Sequence, residues 1–560
     1  MSLETRVCQN CKQNFVIEPE DFLFYEKMQV PPPTFCPTCR FQRRTMFRNE
    51  RVLYKRACDL CGKDTIAVFA PDNKRTVFCS SCWWSDKWDP LSYGVAYDDS
   101  RSFFEQLDDL AKRVPYPSLI IDQPTLVNSD YVNHAGHLKN CYLVFDTDYA
   151  ENVLYATIAN GTKDSMDLKL VDESELCYWD INCLKCSRVF FSEDCSDCHN
   201  VYFSKNLSGC SNCIGCVNLR NKNYHIFNQL VSKEDYEKEI QKLNLGSFKS
   251  LLAFDRRVRD FWKKSPHKFI HGRHNSNITG DYIYNSKNLK DGYICRGVED
   301  GRFCQRLSVP SAKDVYDYTE WGYNAQRIYE CVTVGEYVDR VKFSSFCFKN
   351  SRDVEYSMGI VSSSNLFGCV GLRGQEFCIL NRRYKPDEYK RFRDAIMRDM
   401  TERPYVDARG RVFGYGEFFP YDLSPFDYNE STAVQYFPLK QEAVVTNGWR
   451  WREPTLNTYE VTMSSENIPD SIHDVAENIL NEVFGCSRCS RAFRVIKSEL
   501  ELLRRFSFPL PRMCSECRHA ERMKRLNPPS LWKRQCAKCA SGILTSYAPN
   551  REEIVYCQRC

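Results

Sequence analysis

Cys186-Ser-Arg-Val-Phe-Phe-Ser192 is followed by Cys198-His-Asn-Val-Tyr-Phe-Ser204 and then by Cys210-Ser-Asn-Cys-Ile-Gly-Cys216. The three strings start 12 residues apart, and each sets β-branched and aromatic residues between Ser, Asn and Gly. Upstream, Asn140-Cys-Tyr-Leu-Val-Phe145, Glu151-Asn-Val-Leu-Tyr155, Asp164-Ser-Met-Asp-Leu-Lys-Leu-Val171 and Ser174-Glu-Leu-Cys-Tyr-Trp179 continue the series in steps of 10 to 13. Short strands at near-constant pitch predict a β-solenoid, each coil stacking like residues on the coil before it. Cysteine suits such an interior column, being small and readily buried.

The unit then recurs. Asp130-Tyr-Val132 and Leu138-Lys-Asn-Cys-Tyr-Leu143 correspond to Asp281-Tyr-Ile283 and Leu289-Lys-Asp-Gly-Tyr-Ile294, an offset of 151. Gly215-Cys-Val-Asn-Leu-Arg220 corresponds to Gly368-Cys-Val-Gly-Leu-Arg373, an offset of 153. Each copy is expected to end in an amphipathic helix, near Lys233–Leu243 and Pro386–Met400, with Ser232 and Lys385 leading in. Ser232 followed by Asp235 fits a helix start. Cys210, Cys213 and Cys216 mimic part of an iron–sulfur run, but Arg220 stands where a fourth ligand would fall. Cys198, Cys210 and Cys213 map to Ser351, Ser363 and Leu366 in the second copy, which favours ladder packing over a further metal site. His267, His271 and His274 have a spacing that would suit a metal on a helix, but Gly272 intervenes and a loop is expected.

Both ends of the chain carry four Cys-x2-Cys pairs. They are Cys8/Cys11, Cys36/Cys39, Cys58/Cys61 and Cys79/Cys82, then Cys486/Cys489, Cys514/Cys517, Cys536/Cys539 and Cys557/Cys560. Every thiol of the second set lies 478 positions after its counterpart. Around them Phe15, Pro31, Pro33, Arg40 and Arg44 recur as Phe493, Pro509, Pro511, Arg518 and Arg522. Two such pairs complete a closed tetrahedral four-thiolate site, which is a structural zinc finger rather than a catalytic centre. Four zinc ions are expected, with successive pairs favoured over interleaved ones. Zinc binding of this kind supplies about 10–16 kcal/mol of folding free energy in finger peptides.

The 560 residues exceed one compact core, while 43% hydrophobic and 14% aromatic content excludes wholesale disorder. No apolar run approaches the ~20 residues of a spanning helix, so no membrane partner is expected. Cys8 arrives before an export signal would fit, which points to the cytoplasm and to metal ligands before disulfides. The net charge of +4 hides a strong local bias. Arg40–Arg56 carries +6 and Arg518–Arg534 carries +5, leaving the rest of the chain at −7. The spacing of Arg40, Arg43, Arg44 and Arg48, and of Arg518, Arg522, Lys524 and Arg525, suits a basic helical face toward nucleic-acid phosphates. The alternative is a solvated helix face.

These readings give zinc finger 1 (1–57), zinc finger 2 (58–95), solenoid unit 1 (128–230) and a helical linker (231–275). Solenoid unit 2 (279–381), a helix and linker (382–485), zinc finger 3 (486–535) and zinc finger 4 (536–560) follow. Within the second linker, the aromatics of Gly414-Tyr-Gly-Glu-Phe-Phe-Pro420 and Gly448-Trp-Arg-Trp451 are expected to dock on the solenoid, base stacking being the alternative. Short helices are expected after Ser424-Pro425 and before Gly448, and an amphipathic helix over Pro469–Val483.

Cys8-x2-Cys11, Phe15, Phe24, Pro31, Pro33 and Cys36-x2-Cys39-Arg40 resemble the zinc-binding, treble-clef-like domain of certain bacterial proteins. With Cys82-Trp-Trp-Ser-Asp-Lys-Trp-Asp-Pro90, the β-repeats and the second set of fingers, the whole chain resembles bacterial zinc-ribbon proteins with duplicated terminal zinc modules. The resemblance implies zinc and a cytosolic home, and brings no substrate.

The fold class expected is multi-domain and mainly β, a duplicated solenoid flanked by paired zinc fingers. Its expected role is a non-enzymatic zinc-binding scaffold whose finger helices contact RNA or DNA. One alternative is a scaffold for protein partners; another is a solenoid carbohydrate enzyme using Asp164, Asp167, Asp172 or Asp180. No phosphate loop, Ser-His-Asp signature or open-site zinc motif supports chemistry.

Overall fold

The computed structural model describes residues 2–453 and 459–560. Two stacks of short parallel strands form its centre. In the first, Glu151–Leu154 pairs with Lys163–Met166, and Lys169–Asp172 pairs with Ile181–Leu184. Ser187–Phe190, His199–Tyr202, Ser211–Ile214 and Asn223–Ile226 follow in one ladder. Partners there are 12 residues apart, as in Ser187↔His199 and His199↔Ser211. The second stack is less regular: Gln326↔Asp339↔Arg352 steps by 13, and Arg352↔Ser364↔Glu376 by 12.

Backbone conformation explains how so short a rung closes. From Asp146 to Phe227 every third residue has positive φ, so each 12-residue rung bends four times. The left-handed region is cheap for Gly and tolerated by Asn and Asp. Gly161, Gly209, Gly215, Asn152, Asn182, Asn200, Asn206 and Asp194 occupy such corners. Their amides also bond rung to rung, as Asn140 to Asn152 (3.0 Å) and Asn200 to Asn212 (2.7 Å).

The residue after a corner often points inward. Ser165 Oγ donates to the carbonyl of Lys163 (2.6 Å) and accepts from Cys177 N on the next rung (2.9 Å). Cys183, Cys195 and Cys198 make the same backward bond, to Ile181, Glu193 and Ser196 (3.5, 3.4 and 3.2 Å). Thiols and hydroxyls are thus interchangeable occupants of the interior columns, as Ser165 under Cys177 and Ser174 under Cys186, which is why Cys198 becomes Ser351 in the second copy. In the second stack Cys295, Cys304, Cys331, Cys347, Cys369 and Cys378 are all buried, and they sit in different columns, Cys347 above Val334 and Cys378 above Leu366.

Helices cover the open faces. Lys233–Leu243 starts as expected, Ser232 Oγ accepting from Asp235 N at 3.0 Å. Phe248–Lys263 lays Phe254 against Phe203 and Phe227 of the first stack. Phe103–Arg113 precedes the first stack in the chain but packs on the second, with Phe103 against Tyr356 and Phe367. Pro386–Glu402 closes the second copy.

Pro469–Val483 is not an α-helix; it forms two 3-10 turns, Ile472–Asp474 and Glu477–Asn481. Ile472, Val475 and Ile479 have helical spacing, but β-branched residues are weak helix formers and docking into the core beside the first stack fixes them instead. Short helices do lie at Ala433–Tyr436 and Gln441–Thr446. The linker aromatics serve finger 1 as much as the stack. Phe413 faces Phe35, Phe418 and Phe419 face Phe47, while Tyr415 reaches Phe343 and Tyr356 and Phe419 also meets Tyr356. Trp449 stacks with Tyr421 and Tyr428 at 5.1 and 5.3 Å.

Candidate metal centres and the arginine clasps

Each finger begins with a hairpin whose turn holds a Cys-x2-Cys knuckle, such as Glu4–Val7 with Asn14–Ile17 around Cys8 and Cys11. In fingers 1 and 3 the second pair caps a helix: Cys36 precedes Pro37–Met46, and Cys514 precedes Ser515–Arg525. That places thiolates at the positive end of the helix dipole.

The sulfurs gather as successive pairs: 8/11/36/39, 58/61/79/82, 486/489/514/517 and 536/539/557/560, each set within 4.8 Å. Between knuckles, Cys11–Cys36 is 3.7 Å, Cys61–Cys79 4.0 Å, Cys489–Cys514 3.8 Å and Cys539–Cys557 3.7 Å. Zinc–sulfur bonds of 2.3 Å in a tetrahedron require sulfurs about 3.8 Å apart. The donors fit zinc, and four thiolates leave no open position.

Backbone amides reinforce the fit identically in each site. The N–H of Cys36, Cys79, Cys514 and Cys557 donates to the sulfur of Cys8, Cys58, Cys486 and Cys536 at 3.2–3.3 Å. Burial raises the Cys58 thiol, but N–H donors from Cys79, Cys61 and Leu60 outweigh it and bring it down to about 7. Cys486 comes down to about 6 in the same way.

The basic helices do not face solvent. Arg40, Arg43, Arg44 and Arg48 are buried, as are Arg518 and Arg522. Arg40 meets Asp317 at 2.7 Å and Glu330 at 3.3 Å; Arg44 meets the same two carboxylates at 3.1 and 3.3 Å. Arg43 lies between Glu330 and Glu417, over the Phe35 ring. Arg48 pairs with Asp146. At the other end Arg518 meets Asp167 (2.9 Å) and Glu499 (3.0 Å), and Arg522 meets Asp167 (2.6 Å). Arg525 is mostly covered beside Glu193, and Lys524 alone of this set stays exposed, near Glu521. The phosphate-binding face expected for these arginines is therefore corrected: the stripe is helical, but it turns inward because carboxylates on the stacks neutralise it.

The clasps are crosswise. N-terminal Arg40 and Arg44 hold Asp317 of the second stack, whereas C-terminal Arg518 and Arg522 hold Asp167 of the first. Arg51 closes the arrangement, bonding Thr157 of the first stack (2.9 Å) and Glu516 of finger 3 (2.8 Å). Between the stacks, Arg306 binds Glu50 (2.7 Å), Asp146 and Glu320. That acidic trio has metal-like proximity, but Arg48 and Arg306 neutralise it.

The carboxylates considered for hydrolysis are engaged elsewhere. Asp167 is in the clasp, Asp172 meets Arg296 (3.1 Å), Asp164 accepts from Asn152 (2.8 Å), and Asp180 accepts from Ser192 N (2.8 Å). His267 lies in the short strand His267–Lys268, and His271 bonds Asp281 (3.0 Å). The acidic partners of the arginines were missed from sequence, although the net −7 outside the basic helices was their signal.

No curated protein matches the chain. A family model described as a probable treble clef zinc finger matches residues 51–87, which contain the whole second cluster.

Proposed function

We propose that this chain is a non-enzymatic scaffold for protein partners, in which four structural zinc ions hold arginine helices onto two β-solenoids. The carrying observation is the pair of crosswise clasps, Arg40 and Arg44 on Asp317 and Arg518 and Arg522 on Asp167. A helix committed to buried carboxylates is structural, and its metal site holds it in place. Parallel 12-residue registers, four-bend rungs and interior cysteine columns support the solenoid reading. A reducing cytoplasm would keep the sixteen thiols available for zinc. Any nucleic-acid contact has to use other cations, such as Lys524.

The test is affinity capture of the zinc-loaded chain with and without nuclease, beside a mobility-shift assay with RNA and duplex DNA. Protein partners retained after nuclease and no shift are expected. Salt-dependent nucleic-acid binding, with partners lost on nuclease treatment, would overturn the reading.

A further inference from the structure

One cavity of about 210 Å³ lies where the first stack, the Pro266–Arg273 crossing and finger 4 meet. We propose that it binds a small phosphate ester, a phosphorylated polyol of sugar size.

Charge carries the argument. Seven cationic or ionisable basic side chains line the cavity, against the single carboxylate Asp194. Four of them are accounted for or weakly basic. Lys205 meets Glu193 at 2.8 Å, His271 meets Asp281 at 3.0 Å, and Arg296 meets Asp172 at 3.1 Å. Burial pushes His267 down to about 4, so it stays neutral at physiological pH. Arg220, Lys268 and Arg273 remain, and among the described residues none of the three has an ion-pair partner. Lys268 is lowered by partial burial and then by Arg220 beside it, with Asp194 the one carboxylate that acts against them. Arg220 donates to Asn206 and to the Leu219 carbonyl, which fixes its guanidinium without cancelling its charge. Three cations without a carboxylate partner beside a cavity call for a divalent anion, and guanidinium groups match phosphate oxygens in pairs.

The walls suit hydroxyl groups. Asn182, Asp194, Asn206 and Asn218 rise on one face at 12-residue spacing and are fixed by side-chain bonds of 2.7 Å (Asn182 to Asp194) and 2.6 Å (Asn206 to Asn218). Tyr284 Oη donates to Asn182 at 2.9 Å, and Tyr547 stands near His271 at 3.3 Å. The column is rigid because its amides are engaged, Asn206 Oδ1 by Arg220 (2.9 Å) and Asn218 Nδ2 by the Pro266 carbonyl (2.8 Å), and a polyol would meet the second amide hydrogens and lone pairs. The size excludes larger ligands, since drug-sized molecules need roughly 300–1,000 Å³.

Calorimetric titration of the full zinc-loaded chain with glucose 6-phosphate, glucose and inorganic phosphate tests the proposal. The ester is expected to bind with Kd of about 1 mM or tighter, more weakly at high salt, and glucose to give no heat. Arg220→Gln/Lys268→Gln/Arg273→Gln should weaken the ester at least about tenfold while zinc content and circular dichroism stay unchanged. Exposed Lys268→Gln alone, which cannot threaten the fold, should give a smaller loss of the same sign. No heat from the ester up to about 10 mM, equal binding by the triple variant, or inorganic phosphate binding as tightly as the ester would each overturn it. The zinc count, read separately, is untouched by any of these results.

Discussion

Asp317→Asn is the most informative single change in the molecule. It keeps the shape of the side chain and removes the charge facing Arg40 at 2.7 Å and Arg44 at 3.1 Å. Arg40, Arg44 and Asp317 are all buried. Removing one partner of a buried pair costs about 3–5 kcal/mol, because the remaining charge is left without compensation. Glu330 still reaches both guanidinium groups at 3.3 Å, so the lower end, about 3 kcal/mol, is expected. The exposed pair Lys313–Glu299 (3.1 Å) is the control, and Lys313→Ala should leave the unfolding midpoint essentially where it is in the parent. Denaturant unfolding followed by tryptophan fluorescence, with released zinc read by a chromophoric chelator, gives both numbers. In Asp317→Asn zinc should leave finger 1 at lower denaturant than in the parent. If it behaves like the surface control, the clasp is not what holds the finger, and the scaffold argument built on it fails.

Other outcomes follow from the same geometry. Burial, with Arg306 beside it, pushes Lys169 from 10.5 down to about 7. Between those values the unfolded chain holds a proton that the native chain lacks, so this group's contribution to stability rises with pH across about 7 to 10.5. Lys169→Met should therefore be the more stable protein at pH 7, with the gap closing by pH 10 in paired denaturation curves; parallel curves would contradict this. Cys183→Ser should keep every metal and cost under about 1.5 kcal/mol, because Ser165 and Ser192 already occupy equivalent positions. Cys11→Ser should lose one zinc in native mass spectrometry, and an intact metal count there would refute the ligand assignment. Chelation should open residues 1–95 and 486–560 to protease before the stacks, and early cleavage within 128–230 would argue against zinc as the anchor of the ends.

Much of the metal architecture was legible because thiol spacing is itself geometry: a knuckle of two residues and a second knuckle leave little freedom. The helix at Lys233 was legible for a similar reason, its start written in Ser232 and Asp235. What sequence concealed was direction. Arg40 and Arg518 have the same periodicity whether they face water or a carboxylate, and the deciding partner, Asp317, lies 277 residues away. The triplet of left-handed corners was also hidden, because Trp179, Phe191 and Phe203 occupy corners that local preference would give to Asn or Gly. Packing overrides propensity there. Pro469–Val483 shows the converse, an apolar period of helical type captured by the neighbouring core before a helix can form.

The exchange of ends sets a timetable for synthesis. Arg40 leaves the ribosome long before Asp317 and Glu330 exist, and at ~5–20 residues per second it waits roughly 15–60 s for them. The last finger has its docking surface waiting for it from the moment it emerges. The newborn chain therefore carries an unsheathed cationic helix while both stacks are being made, whereas Arg518 and Arg522 emerge to a carboxylate already in place.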